Sequence, residues 1–296
     1  MNKSIMPMGV YCFNVGAFEC MAVSDGMLAQ DPRSMAVNAT PDERSAFIEA
    51  NFMMRELTAA QLTGLFINTG AHRVLIDSGI GARVPGAGQM LLNLHAAGID
   101  PATIDTVIIS HAHGDHIGGL YGVSAPDQLS FPKARHIIGQ IEWDFWTDLQ
   151  NLEKLPIPPE FKQRFLYHPT TVLPAIRPLV DLIAADTEIV PGIHALAAYG
   201  HTPGQLGFII ASGAETLIVT GDALTNHRIS PEKPDWVIGG DMDAAQTVST
   251  RRRLLDQITT DRTLMMSYHF PWPNLGHIVK MGEVWRYLPT PWQWSS

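Results

Sequence analysis

Apolar and polar positions along this chain change in short blocks, and the blocks read mostly as strands. Runs 10–15 and 18–23 are strand-like and close at Ser24-Asp25-Gly26, which reads as a turn. A polar stretch from Asp31 leads to Pro41-Asp42-Glu43-Arg44, a helix start with Thr40 as its N-cap. Residues 62–68 and 73–77 predict a hairpin joined through Thr69-Gly70-Ala71-His72 and closing at Asp77-Ser78-Gly79. Gln89, Leu91, Leu92 and Leu94 mark a helix over 87–97, and Asp100-Pro101 punctuates it. The continuous apolar run Thr106-Val107-Ile108-Ile109-Ser110 reads as a strand buried on both faces.

From about 141 to 186 the pattern breaks up. Trp143, Phe145, Trp146, Phe161, Phe165 and Tyr167 are interleaved with Pro156, Pro158 and Pro159, so short helices and loops are expected, suited to a lid. Strands return at 187–190, 193–198, 206–211 and 216–220. A charged helix covers 243–258 with Asp241 or Asp243 as its cap, and a last strand runs 263–268. No repeat or low-complexity segment interrupts this order. It fits two half-domains, each a sheet with helices outside, packed sheet to sheet within one domain over 1–296.

Composition narrows the function. Apolar residues are 46% of the chain, enough for a large core, and the net charge of −9 argues against a protein that tracks nucleic-acid phosphates. No apolar run reaches membrane-spanning length; the best candidate, near 207–220, holds Glu215. Pro7, Asn14 and Glu19 interrupt any secretory signal, so a cytoplasmic protein is expected. Cys12 and Cys20 are then expected as reduced thiols, with a disulfide between them as the alternative.

The chemistry concentrates at His111-Ala-His113-Gly-Asp115-His116, immediately after the buried strand. Three imidazoles and a carboxylate in six positions at a strand end form a metal-ligand cluster, and Gly114 lets the loop turn sharply. Further donors follow later strands: His201 in Gly200-His-Thr-Pro-Gly204, Asp222 after Gly221, and His269 after Tyr268. Each alone reads equally well as an ordinary turn residue. Together they repeat one placement, just past a strand end, which random turns do not explain.

These residues carry a resemblance to the metallo-β-lactamase superfamily, whose pattern is HxHxDH followed by His, Asp and His. Leu75-Ile-Asp77-Ser-Gly79, Gly200-His-Thr-Pro-Gly204 and Gly221-Asp222 also match its habits, and the likeness extends over about 18–290. The stretch His269-Phe-Pro-Trp-Pro-Asn-Leu-Gly-His277 resembles the branch holding methyl-parathion-hydrolase-like enzymes and homoserine-lactone lactonases. Gln205 departs from the pattern, standing where many relatives carry a second histidine that is not a ligand.

The resemblance implies an α+β fold, a four-layer αββα sandwich with the metal site at one edge of its two sheets. It further implies that His111, His113 and His201 hold one divalent ion, that Asp115, His116 and His269 hold another, and that Asp222 bridges them. Zinc is the expected ion, and manganese, iron or cobalt also suit nitrogen and oxygen donors. A metal-bound hydroxide would then attack a small ester, lactone or phosphotriester, with Asp115 and Asp222 as the catalytic carboxylates. Asp77 is either a plain turn residue or a carboxylate that orients a ligand histidine. Trp143, Trp146, Phe270, Trp272 and His277 are candidate walls of the substrate pocket, although aromatics in such segments are often packing alone. The alternative reading is a redox member of the same superfamily, of di-iron or sulfur-dioxygenase type. The reductases carry an appended flavin domain, which is not expected after His269, and the sulfur dioxygenases use a reduced ligand set. The expected partner is a small molecule, with a homodimer left open and neither nucleic acid nor membrane involved.

Overall fold

A computed structural model describes residues 9–53, 58–81, 84–125, 127–155 and 159–291, so Pro156 and Pro158 lie outside the described residues. The first half contains β1 (Val10–Val15), β2 (Phe18–Gln30), α1 (Pro41–Ala50), β3 (Thr58–Asn68), β4 (Arg73–Ile76), α2 (Met90–Ala96), β5 (Thr106–Ile109) and the single turn α3 (Gly114–Ile117). It continues with β6 (Arg135–Gly139), α4 (Gln140–Thr147), α5 (Leu149–Lys154), α6 (Pro159–Ile176) and β7 (Val180–Ile183). The second half contains β8 (Glu188–Val190), β9 (Ile193–Ala197), β10 (Leu206–Ser212), β11 (Glu215–Val219) and α7 (Ile229–Glu232). α8 (Ala244–Asp261), β12 (Leu264–Met266), β13 (Leu275–Met281) and β14 (Val284–Pro289) complete it.

β1 to β7 form one sheet in chain order, and β8 to β14 form a second, also in chain order. Side-chain alternation along the strands builds three apolar layers. Leu75, Val107 and Ile109 face α2, α4 and α6 with Leu94, Trp146 and Leu173. Ile76, Ile108 and Ile137 face the other sheet and meet Phe208, Ile210 and Leu217. Ile218, Met265 and Ile278 face α8 with Leu254, Leu255 and Ile258. Helix, sheet, sheet, helix: this is the αββα sandwich. β5 lies between two of these layers, which is why its sequence is apolar without alternation.

Pairing direction places the chemistry. β4, β5 and β6 run parallel, as do β11 and β12. Parallel neighbours end on the same side, so the loops after β4 and β5 leave one edge together, and those after β11 and β12 leave theirs together.

Several expectations change. The turn expected at Ser24-Asp25-Gly26 is a register shift inside β2, which continues to Gln30. The reason is Asp25, whose buried carboxylate accepts from the Ile80 and Met90 amides at 2.8 Å each. Those bonds hold the strand straight through and also cap α2, so the helix begins at Met90 and not at residue 87. Gly79 must lack a side chain here, because a Cβ would sit 2.4 Å from that carboxylate. β6 and the β13–β14 hairpin are not anticipated by the pattern, since Arg135, His136, His277, Lys280 and Arg286 break their apolar runs. Helix α1 starts where expected, with a reciprocal Thr40–Glu43 capping box. Cys12 pairs with Met21 and Cys20 with Phe13 across β1–β2. That register puts the two thiols on opposite faces, and both are free.

His136 is fully buried on β6 with neither ring nitrogen bonded, and burial pushes its pKa down to about 4. The unfolded chain takes up a proton below about 6.5 that the folded chain refuses until about 4. Its effect is therefore stability present above pH 6.5 and lost progressively as pH falls to about 4, on the order of 3 kcal/mol in all. His136→Leu should flatten the fall in unfolding free energy between pH 7 and 4.5 in urea titrations. An unchanged pH slope would assign the acid sensitivity elsewhere.

Candidate metal centre

The β5–α3 loop brings His111, His113, Asp115 and His116 to the carboxyl edge of the first sheet. The loop after β9 brings His201, a short turn after β11 brings Asp222, and the loop after β12 brings His269. All seven donors predicted from sequence meet at one place. His113 Nδ1 lies 3.0 Å from both His111 Nε2 and His201 Nε2. His269 Nε2 lies 3.0 Å from Asp222 Oδ2 and 3.5 Å from Asp115 Oδ2, and His116 Nε2 lies 3.8 Å from Asp115 Oδ2. Asp222 stands between the groups, with Oδ1 at 3.6 Å from His116 Nε2 and Oδ2 at 3.5 Å from His201 Nε2.

This arrangement suits cations better than protons. His113 Nδ1 lies within hydrogen-bond range of two other imidazole nitrogens, and shared protons cannot satisfy all three, because a neutral ring carries only one. His116 Nε2 and Asp222 Oδ1 are buried and have no hydrogen-bond partner. Three overlapping sets, His111/His113/His201, His111/His116/Asp222 and Asp115/His116/His269, each gather donor atoms within 4.8 Å. Burial, and then the neighbouring imidazoles, push His111 and His113 well below the usual histidine range, which leaves their lone pairs free. Burial also opposes a charge on His116 and His269, yet the Asp222 carboxylate and its acidic neighbours overcome it and raise both. The attraction that holds a proton there is the attraction offered to a divalent ion.

Outward ring nitrogens are tied down. Asp77 Oδ2 accepts from His116 Nδ1 at 2.8 Å and from Ser110 Oγ at 2.7 Å, while Oδ1 accepts from the Ser110 amide at 2.8 Å. Asp77 is 3% exposed and sits at φ +58, a backbone position held by this packing. His269 Nδ1 donates to the Gln61 carbonyl at 2.8 Å. His201 Nδ1 lies 3.0 Å from Asp241 Oδ1. Of the two aspartates read as caps for α8, Asp243 is the cap and Asp241 supports the histidine. His113 differs: its Nε2 has no partner and faces Trp146 and Phe165.

Two buried residues were not picked out from sequence. Glu142 accepts from Ala112 N at 2.9 Å, Trp146 Nε1 at 2.7 Å, Thr202 Oγ1 at 2.8 Å and Gly204 N at 2.9 Å, and so joins two ligand loops. Its only sequence signal is an acid among the apolar residues of Ile141-Glu142-Trp143. Tyr268 stacks on His116 at 3.9 Å and donates its hydroxyl to the Asp115 carbonyl at 2.6 Å. Gln205 accepts from the Asp222 amide at 3.2 Å and donates to the Ala198 carbonyl at 3.0 Å, so it anchors a ligand from behind.

A cavity of about 890 Å³ opens over the donors. None of the five expected wall residues lines it. Trp143 and Trp146 are buried beneath the first sheet's helices, where Trp146 bonds Glu142. Phe270 is fully buried on the α8 side of the second sheet, and Trp272 packs against the layer between the sheets. His277 is exposed on β13, paired with Leu288. Packing claims the large rings nearest the motif. The walls come instead from Leu28 and Ala60 on the β2–β3 arm, Phe165 and Tyr167 on α6, and Thr225 and Ile238.

The family model for the metallo-beta-lactamase superfamily matches residues 61–269. The chain belongs to this superfamily. Among solved structures, AidC, a dizinc quorum-quenching lactonase, is 26% identical with a TM-score of 0.89, covering 96% of this chain and 98% of that one. The hydrolase AbOPH is 23% identical with a TM-score of 0.87, over 96% of this chain and 98% of its own. A probable metal-dependent hydrolase from Staphylococcus aureus is 19% identical with a TM-score of 0.77, over 95% and 100%. A curated relative, transcription termination factor FttA of Cenarchaeum symbiosum (strain A), is 27% identical over 58% of this chain. The match spans about a quarter of that relative's length, 26%. No described helix of this member is long and apolar enough to cross a membrane.

Asp77→Asn keeps the shape but removes an acceptor beneath His116. It should weaken metal affinity by about 10–100-fold in chelator competition while the unfolding midpoint shifts little. Unchanged affinity would return Asp77 to a turn residue.

Proposed function

We propose that the protein is a hydrolase of small neutral esters, lactones or phosphotriesters that depends on two divalent ions, most simply zinc. The observation that carries this reading is the complete seven-donor set facing a cavity whose described lining holds no lysine or arginine. An anionic substrate would call for a cation in those walls. Leu28, Ala60, Ile80, Val84, Phe165 and Ile238 offer apolar surface instead. The likeness to a dizinc lactonase over nearly the whole chain supports both the metal and the bond type.

In this reading His111, His113 and His201 would hold one ion and Asp115, His116 and His269 the other, with Asp222 available to both. Ions bound there would supply an acidified water as nucleophile and a positive charge to polarise the substrate's oxygen. The protein's part is positional. Asp77, Asp241 and the Gln61 carbonyl keep three imidazoles turned inward, and Glu142 holds two loops at fixed separation. Asp115 borders the cavity and takes the proton released by the attacking water. Phe165 and Tyr167 exclude solvent above the reacting bond.

Protein purified without chelators should carry close to two metal equivalents and hydrolyse at least one member of a panel of lactones, aryl esters and phosphotriesters. Chelation should abolish turnover, and zinc, manganese or cobalt should restore it. His269→Ala should lower the rate by at least about 100-fold, whereas Phe165→Ala should act chiefly on preference within the panel. Fewer than one metal equivalent, chelator-resistant turnover, or strict dependence on oxygen would each overturn the proposal.

A further inference from the structure

The ring nitrogens behind the metal ligands end on different partners. His111 Nδ1 meets the Ser110 hydroxyl at 3.1 Å, His116 Nδ1 meets Asp77, and His269 Nδ1 meets a main-chain carbonyl. His201 meets Asp241, and among the described residues Asp241 is the acidic support paired with a buried cation, Arg251, at 3.5 Å. Both side chains of that pair have no exposed surface. The guanidinium gives three further donors to main-chain carbonyls: Ala223 at 2.8 Å, Pro234 at 2.9 Å and Trp236 at 2.6 Å. Ala223 directly follows Asp222, and Asp241 Oδ2 also accepts from Ile238 N at 3.0 Å, at the cavity wall.

We propose that Arg251 is a positioning residue of the metal centre, setting His201 through Asp241 and Asp222 through the Ala223 carbonyl. A carboxylate only accepts hydrogen bonds, so Asp241 requires the His201 proton on Nδ1 and leaves Nε2 facing His113. The carboxylate stays under the ring because the guanidinium anchors it from the far side; a buried acid without that partner would turn elsewhere. Arginine suits the place because its planar fork reaches four acceptors in different directions, which an ammonium cannot do. Ligands from two separate loops are thus fixed by one side chain on α8, remote from the cavity. The inference rests on the dinuclear reading above.

The test is a double-mutant cycle read by Co²⁺ affinity, using chelator competition and the visible absorption of the cobalt-loaded protein. Arg251→Met and Asp241→Asn should each weaken one of the two Co²⁺ sites by about 10–100-fold. The double variant should lose no more than the weaker-binding single variant, because the Asp241 route to His201 is one that Arg251 already holds. Arg251→Lys should fall between wild type and Arg251→Met. If Arg251→Met does not fold, Arg251→Lys takes its place in the cycle with the same expectation. Wild-type Co²⁺ affinity in the arginine variant, or losses that multiply in the double variant, would show that Arg251 only ties the 234–236 segment and would overturn the proposal. Fewer than one Co²⁺ in the wild-type protein would instead overturn the dinuclear reading.

Discussion

Five imidazoles and two carboxylates gathered into one cluster, mostly out of water, set the terms for everything around them. Left to themselves these groups would turn to solvent or satisfy one another pairwise, since a buried polar atom without a partner costs about 1–3 kcal/mol. The fold prevents this from behind. Asp77, Asp241 and the Gln61 carbonyl occupy outward nitrogens, while Glu142 and Gln205 pin the loops that carry them. At the centre His116 Nε2 and Asp222 Oδ1 stay unsatisfied, and His113 Nε2 lacks a partner on its outer side. Support behind most of the rings, with an unsatisfied nitrogen and oxygen facing each other inside, suits a preorganised cation site better than a crowded turn.

That supporting layer depends on topology. A parallel strand pair requires a crossover, and the crossover returns the chain so that both strands end on the same side. In the first sheet β4 delivers Asp77 and β5 delivers the hexapeptide, so a ligand and its support leave adjacent strands. The second sheet repeats the device, β11 delivering Asp222 and β12 His269. Sheet-to-sheet packing through Ile108, Phe208 and Leu217 then sets the separation of the two ligand groups. The Leu206 amide bonds the Ser110 carbonyl at 2.9 Å, a direct main-chain tie between the sheets beside the site.

The seven clustered donors were legible in the sequence because each sits where a strand period stops and a turn begins, a local signal. The layers were legible for the same reason: β5 has no exposed position because neither face is wet. The supports were not. Asp241 and Asp243 give identical cap signals two residues apart, and only the three-dimensional return of the β9 loop decides that one of them faces His201. Glu142 looks like an ordinary helix acid until Ala112, Thr202 and Gly204, distant in sequence, converge on it. Asp25 shows the opposite failure: a local turn signal was overridden because its carboxylate found two amides inside the protein.

The aromatic residues show why the cavity was read less well than the centre. A ligand must be a particular residue type at a particular strand end, but a wall needs only apolar surface at the right distance. The tryptophans of α4 satisfy the same description and are taken by the core, where Trp146 also has Glu142 as a partner for its indole N–H. The wall falls to α6, whose Pro169 removes the amide that would bond the Phe165 carbonyl one turn earlier. The stretch from Phe165 to His168 that faces the cavity therefore has a weakened helical ladder, while His168 Nδ1 lies 3.0 Å from the Gly114 carbonyl in the ligand loop. Gly114 and Gly118 have to be glycines under that ring, because a Cβ at either would come within 3 Å of it. The wall and the centre thus meet at one histidine, so a substitution on α6 that shifts His168 acts on the ligand loop as well as on the cavity.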